Sequence, residues 1–220
     1  MTVRTRLFCA AALALALAGC KSKGDIVVEE GVGITAIRTA CPAVGIPDYT
    51  GDVTLFRTPD ARDAASIDVT AAITNLRTQC DDGRKNVSAK VYASVGFDVL
   101  ARRTDVRGAR TVSLPYFVTV LRGGRAVVSK RVGTVTLNFA DGQERAQARA
   151  QGGAYIDRAE ATLSEEIRRR ITRKRKAGDT DAAIDPLTEP DVRAAVQRAT
   201  FEVLVGFQLD QNQLAYNATR

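Results

Sequence analysis

The sequence predicts a mainly β fold, an antiparallel immunoglobulin-like β-sandwich with C-terminal α-helices. Two observations lead to this prediction: apolar and polar residues alternate in several stretches between residues 52 and 139, and short turns rich in Gly or Asp separate those stretches. Alternation places every second side chain on one face, as in a half-buried strand. Several such strands joined by tight turns are typical of a sandwich.

The strongest strand signal lies in NVSAKVYASVGFDVLA, where apolar residues occupy eight consecutive alternate positions from Val87 to Ala101. SIDVTAAI and DVTLFR predict two strands before it. The turn sequence Cys80-Asp81-Asp82-Gly83 predicts a hairpin between SIDVTAAI and the strongest strand. TVSLPYFVTVLR and AVVSKRVGTVTLNF flank Gly123-Gly124 and therefore predict another hairpin.

Two residues of that last hairpin carry more specific expectations. Pro115 has no backbone N–H, so its strand should be an edge at that point or contain a bulge. Val132 is out of phase with Val127, Val135 and the apolar positions that follow them. A bulge at residues 131–133 would restore the alternation, and we expect one there.

After residue 139 the alternation weakens, and ADGQERAQARAQGG is compatible with a strand, a helix or a loop. TLSEEIRRRITRKRKAGD predicts a helix capped by Ser164, with acidic residues in its first turn, basic residues in its last turn and Gly178 beyond its end. Pro190 predicts the start of a second helix that runs to about Arg198. FEVLVGFQL predicts a strand at about 201–209 that returns to the sandwich, with a continuous helix as the alternative. A short final helix is expected from about Asp210.

The N-terminus has the three parts of an export signal: the basic start MTVRTR, the apolar run LFCAAALALALA and a small-residue ending. A helix of that run would span about 18 Å, which is too short for a hydrocarbon core of about 30 Å. The ending Leu17-Ala18-Gly19-Cys20 resembles the lipobox of bacterial lipoproteins. The resemblance implies cleavage before Cys20, a diacylglycerol on its thiol and an acyl chain on the new amino terminus. A secreted protein whose signal ends in Cys is the alternative.

The lipobox resemblance implies a protein of the cell envelope that is attached to a membrane through its N-terminal lipid. In enterobacterial lipoproteins an Asp after the lipidated Cys retains the protein in the inner membrane. Lys21 stands there in this chain, which favours the outer membrane, facing the periplasm.

A second resemblance covers about residues 41–140. Cys41-Pro42, an alternating strand pair closed by Cys80, and then LPYFV with a hairpin resemble small lipoproteins of alphaproteobacteria. This resemblance implies no activity.

The expected organisation is a signal peptide at 1–19, a tether at 20–40, a β-sandwich domain at 41–140 and a helical extension at 141–220 that contributes the returning strand. Once Cys9 leaves with the signal and Cys20 takes lipid, Cys41 and Cys80 remain. In an oxidising compartment these two are expected to form a disulfide, with two buried free thiols as the alternative. The chain-entropy account assigns such a link roughly 3 to 4 kcal/mol of stability.

The basicity of the chain is concentrated in one segment. The seven basic residues of 168–176 are Arg168, Arg169, Arg170, Arg173, Lys174, Arg175 and Lys176. The formal charge is +7, and removing these seven and the signal's Arg4 and Arg6 leaves −2. We expect a solvated helix end whose basic residues complement the helix dipole, and the alternative hypothesis is a basic helix that binds an anion such as a lipid headgroup or lipopolysaccharide. Nucleic acid is disfavoured because the expected compartment keeps it away and no aromatic residues interleave with the basic ones.

The chain contains no His, which excludes Ser-His-Asp and Cys-His catalysis and most transition-metal sites. No catalytic residue, metal ligand or cofactor is predicted. We expect a lipid-anchored envelope binding or assembly module, not an enzyme, that contacts an envelope protein or an anionic component. The alternatives are a carboxylate-based hydrolase or transferase, which buried convergent Asp or Glu side chains would favour, and a purely structural spacer.

Overall fold

The computed structural model describes residues 39–58, 61–81, 88–173, 178, 180 and 184–220. Its strands are β1 (Ala43–Gly45), β2 (Asp52–Phe56), β3 (Ile67–Asp81), β4 (Lys90–Arg103), β5 (Arg110–Arg122), β6 (Ala126–Phe139), β7 (Arg145–Asp157) and β8 (Phe201–Phe207). Its α-helices are α1 (Glu165–Thr172), α2 (Pro190–Arg198) and α3 (Gln211–Thr219). Short 3-10 turns lie at Ala64–Ser66 and Pro186–Thr188.

The eight strands form two four-stranded sheets. Sheet A has the order β1-β8-β5-β6, and sheet B has the order β2-β3-β4-β7. All neighbours are antiparallel except β1 and β8, which are parallel. The predicted β-sandwich with C-terminal helices is therefore confirmed. Within the described residues, no helix has the length and apolar character needed to cross a membrane.

The core lies between the inner faces of the two sheets. Every second residue of β4 from Val91 to Ala101 is buried, as the alternation predicted. Val203, Val205 and Phe207 of β8 fill the same core from sheet A. Successive side chains of a strand point to opposite faces, so one apolar row per strand is enough to build this core. Val87 and the turn predicted at Asp82-Gly83 lie outside the described residues.

The segment ADGQERAQARAQGG, which the sequence left open, contributes most of strand β7. This strand pairs with β4 along its whole length, from Arg102 opposite Arg145 to Lys90 opposite Asp157. The sandwich therefore continues beyond residue 140, where its boundary was predicted. The strand signal was weak because the inward positions of β7 begin with alanines, namely Ala146, Ala148 and Ala150.

The predicted returning strand is present as β8, which pairs antiparallel with β5, so the alternative of a continuous helix does not apply. Helix α2 begins at Pro190 and ends at Arg198, as predicted. Helix α3 begins after Asp210, whose side chain forms a capping box with Gln213. Helix α1 begins after the Ser164 cap but ends at Thr172, shorter than predicted.

The bulge predicted at residues 131–133 is wrong. These residues pair in unbroken register with Val118, Phe117 and Tyr116 of β5. The register shifts instead between Val120 and Leu121, which leaves Val128 of β6 as the extra residue. Val132 consequently stays out of phase and is 59% exposed. Pro115 lies one residue past the end of β8, whose Phe207 is opposite Tyr116, so β5 is an edge there apart from the hydrogen bond that Gln208 N donates to Pro115 O.

Candidate functional site

Two of the residue groups predicted from the sequence concern the chain's covalent chemistry. Cys20 lies outside the described residues. Cys41 and Cys80 form the predicted disulfide, with their Cα atoms 5.9 Å apart. Since Cys41 lies two residues before β1 of sheet A and Cys80 belongs to β3 of sheet B, the bond links the two sheets covalently.

The structure describes four of the seven basic residues, and three of these four lie on α1. Lys174, Arg175 and Lys176 lie outside the described residues, and Arg173 already has non-helical backbone angles. Arg168 and Arg169 are exposed on α1. Arg170 instead forms ion pairs with Glu189 and Asp191. Hydrogen bonds to Asp191 and then Glu189 raise the pKa of Arg170, so its charge is already matched inside the protein.

Asp98 is the buried carboxylate among the described residues. Arg77 donates two hydrogen bonds to it, at 2.8 and 3.0 Å, and Asn75 donates a third at 2.7 Å. These bonds, with the charges of Arg77 and Arg149, hold the pKa of Asp98 well below its usual range. In the described part of the chain, no group of three or more Asp, Glu, His or Cys side chains is arranged to hold a metal ion.

The sandwich has two lateral seams where the edges of sheets A and B meet. We call the β1/β2 side the closed seam, because hydrogen bonds and the disulfide cross it. Thr50 O accepts from Phe207 N of sheet A, and the adjacent Gly51 O accepts from Ile73 N of sheet B, both at 2.8 Å. The Asn217 amide of α3 donates to Tyr49 O and Asp52 O, also at 2.8 Å.

The opposite side, between β6 and β7, is the open seam. A cavity of about 320 Å³ lies there. Tyr116 projects from the inner face of β5, and its hydroxyl donates to Gln151 O of β7 at 2.9 Å. Its ring makes an edge contact with Phe97, with centroids 5.1 Å apart. Burial raises the pKa of the Tyr116 phenol, so this bridge between the sheets stays protonated at neutral pH.

Three glycines make room for the larger side chains of this cavity. A Cβ on Gly133 would lie 2.5 Å from Cζ of Tyr116. A Cβ on Gly152 would overlap Val118, and one on Gly153 would overlap the Tyr92 hydroxyl. Glycine in a strand interior often marks such a close approach. The glycines thus allow the tyrosines to lie flat across the strands and shape the cavity.

The outer wall of the cavity is aromatic. Tyr92 and Tyr155 face each other across β4 and β7, with ring centroids 4.8 Å apart and planes tilted by 44°. They remain 44% and 64% exposed, respectively. Among the described residues that line the cavity, Arg131 is the one with a formal charge. The cavity therefore offers apolar ring surface, phenol hydroxyls and one cation to an incoming group.

A buried arginine holds the loops at one end of the open seam. Arg103 is fully buried, and its guanidinium donates to Gln143 O and Ala140 O of the β6–β7 loop, at 2.7 and 2.8 Å. It also donates to Gly108 O and Val106 O of the β4–β5 loop, at 2.8 and 2.7 Å. Four neutral carbonyls thus solvate this charge in place of water.

The alternation of the sequence does not indicate the tyrosine cavity. Alternation predicts that Tyr116 and Phe117 lie on opposite faces, but not that Tyr116 reaches β7. Gly152-Gly153 inside an alternating segment was the available signal, because paired glycines within a strand indicate a close backbone approach.

Comparison of the chain with protein-family models, with curated proteins and with solved structures gives no match.

Proposed function

We propose that this chain is a lipid-anchored binding module of the cell envelope that holds a partner in the cavity of the open seam. The anchor is proposed from the lipobox resemblance at Cys20 and places the domain at a membrane surface, on the outer membrane facing the periplasm. The observation that supports binding is the cavity of about 320 Å³ with its exposed tyrosine pair. Concave sites with aromatic walls and a few polar groups are the usual form of a binding site.

The contacts of Asp98 favour a binding module over a carboxylate-based hydrolase or transferase. Such an enzyme needs an acid or base whose pKa lies near the working pH. Asp98 is instead held as a permanent anion by Arg77 and Asn75. The exposed tyrosine pair likewise favours a binding module over a structural spacer, since aromatic side chains exposed together are typical of interaction surfaces.

Site-specific photo-crosslinking in native cells tests the binding proposal. The full chain would carry a photoreactive amino acid at Tyr155 or at Val132, next to the cavity, and a matched control would carry it at Leu214, an exposed residue of α3. We expect discrete adducts from the two cavity positions and none from Leu214. Absence of adducts at the cavity positions, or equal adducts at all three, would contradict the proposal.

Cys20→Ser tests the anchoring. This change removes the thiol that the lipobox resemblance assigns to the lipid, so the protein should lose incorporated fatty acid and move from the membrane fraction to the soluble fraction. Cys9→Ser, within the proposed signal, is the matched control and should leave both unchanged. Membrane association of the Cys20→Ser protein equal to that of the unaltered protein would disprove lipid anchoring at this residue.

A second candidate function is contact with an anionic lipid or lipopolysaccharide through residues 168–176. The exposure of Arg168 and Arg169 on α1 favours it, whereas the ion pairs of Arg170 weaken it. The test is co-sedimentation of the full chain with neutral and anionic vesicles across a salt series. The control protein has Gln at all seven basic positions. Anion-dependent, salt-sensitive binding that this control lacks would support the candidate.

A further inference from the structure

The free edge of β6 carries backbone groups that face the open seam. Gln208 N donates to Pro115 O, and Gly123 N donates to Thr200 O. The backbone N–H and C=O groups of odd-numbered β5 residues therefore point toward β8. The direction of the backbone N–H and C=O groups alternates along an antiparallel strand. Those of Tyr116 therefore point toward β6, where Tyr116 pairs with Gly133. The N–H and C=O of the adjacent Val132 therefore point away from β5, toward the free edge.

The edge of β7 presents its own backbone groups to the same seam. Arg103 N donates to Glu144 O, and Arg158 N donates to Ala89 O, so the backbone groups of even-numbered β7 residues point toward β4. Those of odd-numbered residues point away from β4, toward the free edge. The Tyr116 hydroxyl bonds to one of them, Gln151 O. In the described part of the chain, β6 and β7 each pair with one strand only.

We infer that the open seam binds an extended, acidic segment of a partner polypeptide, which adds as a strand to the free edge of β6 at residues 130–134. In this binding mode main-chain hydrogen bonds supply affinity, and pockets for alternate side chains supply specificity. A strand added to β6 directs every second side chain inward, toward Tyr116 and the part of the cavity between β6 and β7. The Tyr92–Tyr155 pair lies around the edge of β7, on the outer face of sheet B. This inference rests on the proposed function and names the partner class.

Charge complementarity indicates the chemistry of the added segment. Arg131 is the charged residue among those described that line the cavity, and Lys130 lies beside it on β6. Lys130 projects over the ring of Phe117 on the outer face of sheet A, with Nζ 5.1 Å from its centroid. The edge therefore presents one cation on each face of an added strand. A segment with acidic residues on both faces, and an apolar or aromatic residue on the inner face beside Tyr116, fits both the charges and the tyrosine ring.

The test uses a fluorescent synthetic peptide of repeated Glu-Glu-Val, which places glutamate and valine on both faces of an extended strand, and the full chain in detergent micelles. Two control peptides are a lysine–valine version and a glutamate–valine version with methyl groups on alternate backbone nitrogens. We expect the unmodified acidic peptide to bind at least about tenfold more tightly than either control, because they lack the charge or the edge hydrogen bonds. Hydrogen exchange at residues 130–134 should slow when the acidic peptide is bound.

Val132→Pro tests the edge from the protein side. Because the Val132 N–H faces outward, proline there removes no ladder bond of the sandwich but prevents strand addition. Val132→Thr keeps the N–H and is the matched control. Proline should weaken peptide binding about tenfold or more while threonine leaves it nearly unchanged. The comparison of the two acidic peptides on the unaltered protein does not depend on folding of the proline variant.

Three outcomes would overturn the inference. They are no binding of the acidic peptide, equal binding of its methylated form, and a dimer of the protein alone that Val132→Pro dissociates, which would make a second copy the occupant. If photo-crosslinks at Tyr155 persist in any of these cases, the proposed binding function stands and only the partner class fails.

Discussion

The two seams of this sandwich are closed by different means. On the β1/β2 side, sheet A is tied to sheet B by the Cys41–Cys80 bond, by hydrogen bonds to the carbonyls of Thr50 and Gly51, and by the docked helix α3. On the β6/β7 side, the Tyr116–Gln151 hydrogen bond crosses a cavity of about 320 Å³, and Arg103 holds the loops at its end. One seam is therefore cross-linked covalently, whereas the other keeps two strand edges and a cavity.

This difference shows how a small domain can combine stability with an accessible site. Exposed strand edges promote unwanted pairing, and proteins commonly protect them with charged residues. Here Lys130 and Arg131 stand on the exposed part of β6, where they discourage pairing of two identical edges. The same charges leave the edge available to an acidic strand. Changes at the two seams should therefore affect the free energy of unfolding by different amounts.

Arg103→Met should have the largest effect, because it removes the buried group to which four loop carbonyls bond at the end of the open seam. We expect a loss of about 4 to 5 kcal/mol in the free energy of unfolding, measured by urea denaturation. Arg102→Met, on the exposed neighbouring position, is the control and should cost less than about 1 kcal/mol. Similar losses for the two variants would mean that Arg103 does not hold the loops.

The double change Cys41→Ser and Cys80→Ser should weaken the closed seam by about 3 to 4 kcal/mol, since it frees a long loop of the unfolded chain. The measurement is again the free energy of unfolding. Reducing agent should destabilise the unaltered protein by a similar amount and leave the serine variant unchanged. A serine variant as stable as the oxidised protein would show that the noncovalent contacts of this seam suffice.

Gly152→Ala should destabilise the open seam by about 2 kcal/mol, because its Cβ would overlap Val118. Adding Val118→Ala removes the overlapping methyl groups, so the double variant should be more stable than the sum of the two single effects indicates. Strict additivity of the two free-energy changes would rule out the close approach as the reason for glycine at this position.

Tyr116→Phe should have the smallest effect, about 1 kcal/mol, because it removes one hydrogen bond and keeps the ring. Hydrogen exchange should become faster near residues 151–153 and remain unchanged in β2 and β3, at the closed seam. Equal acceleration at both seams would show that the hydroxyl stabilises the sandwich as a whole instead of bridging the open seam.

Local alternation was sufficient to predict most of the sandwich. Val91 to Ala101 in β4 and Phe201 to Phe207 in β8 carry strong period-two patterns, and both strands lie where the sequence places them. Strand β7 was left open because alanine and glycine at its inner positions give little contrast with polar neighbours. The ion pairs of Arg170 depend on residues 189 and 191, which are distant in sequence.

The sequence by itself determined the export and lipobox pattern, the lack of histidine, the sandwich class and the candidate cysteine pair, because each follows from residue type or short-range periodicity. Only the tertiary structure decided which strands form edges, that β6 needs no bulge at 131–133, and that Tyr92, Tyr116 and Tyr155 meet at one cavity. The physical reason is that edges and cavities arise where two sheets meet. Those contacts join residues far apart in the chain, and no local pattern encodes the separation of the two sheets.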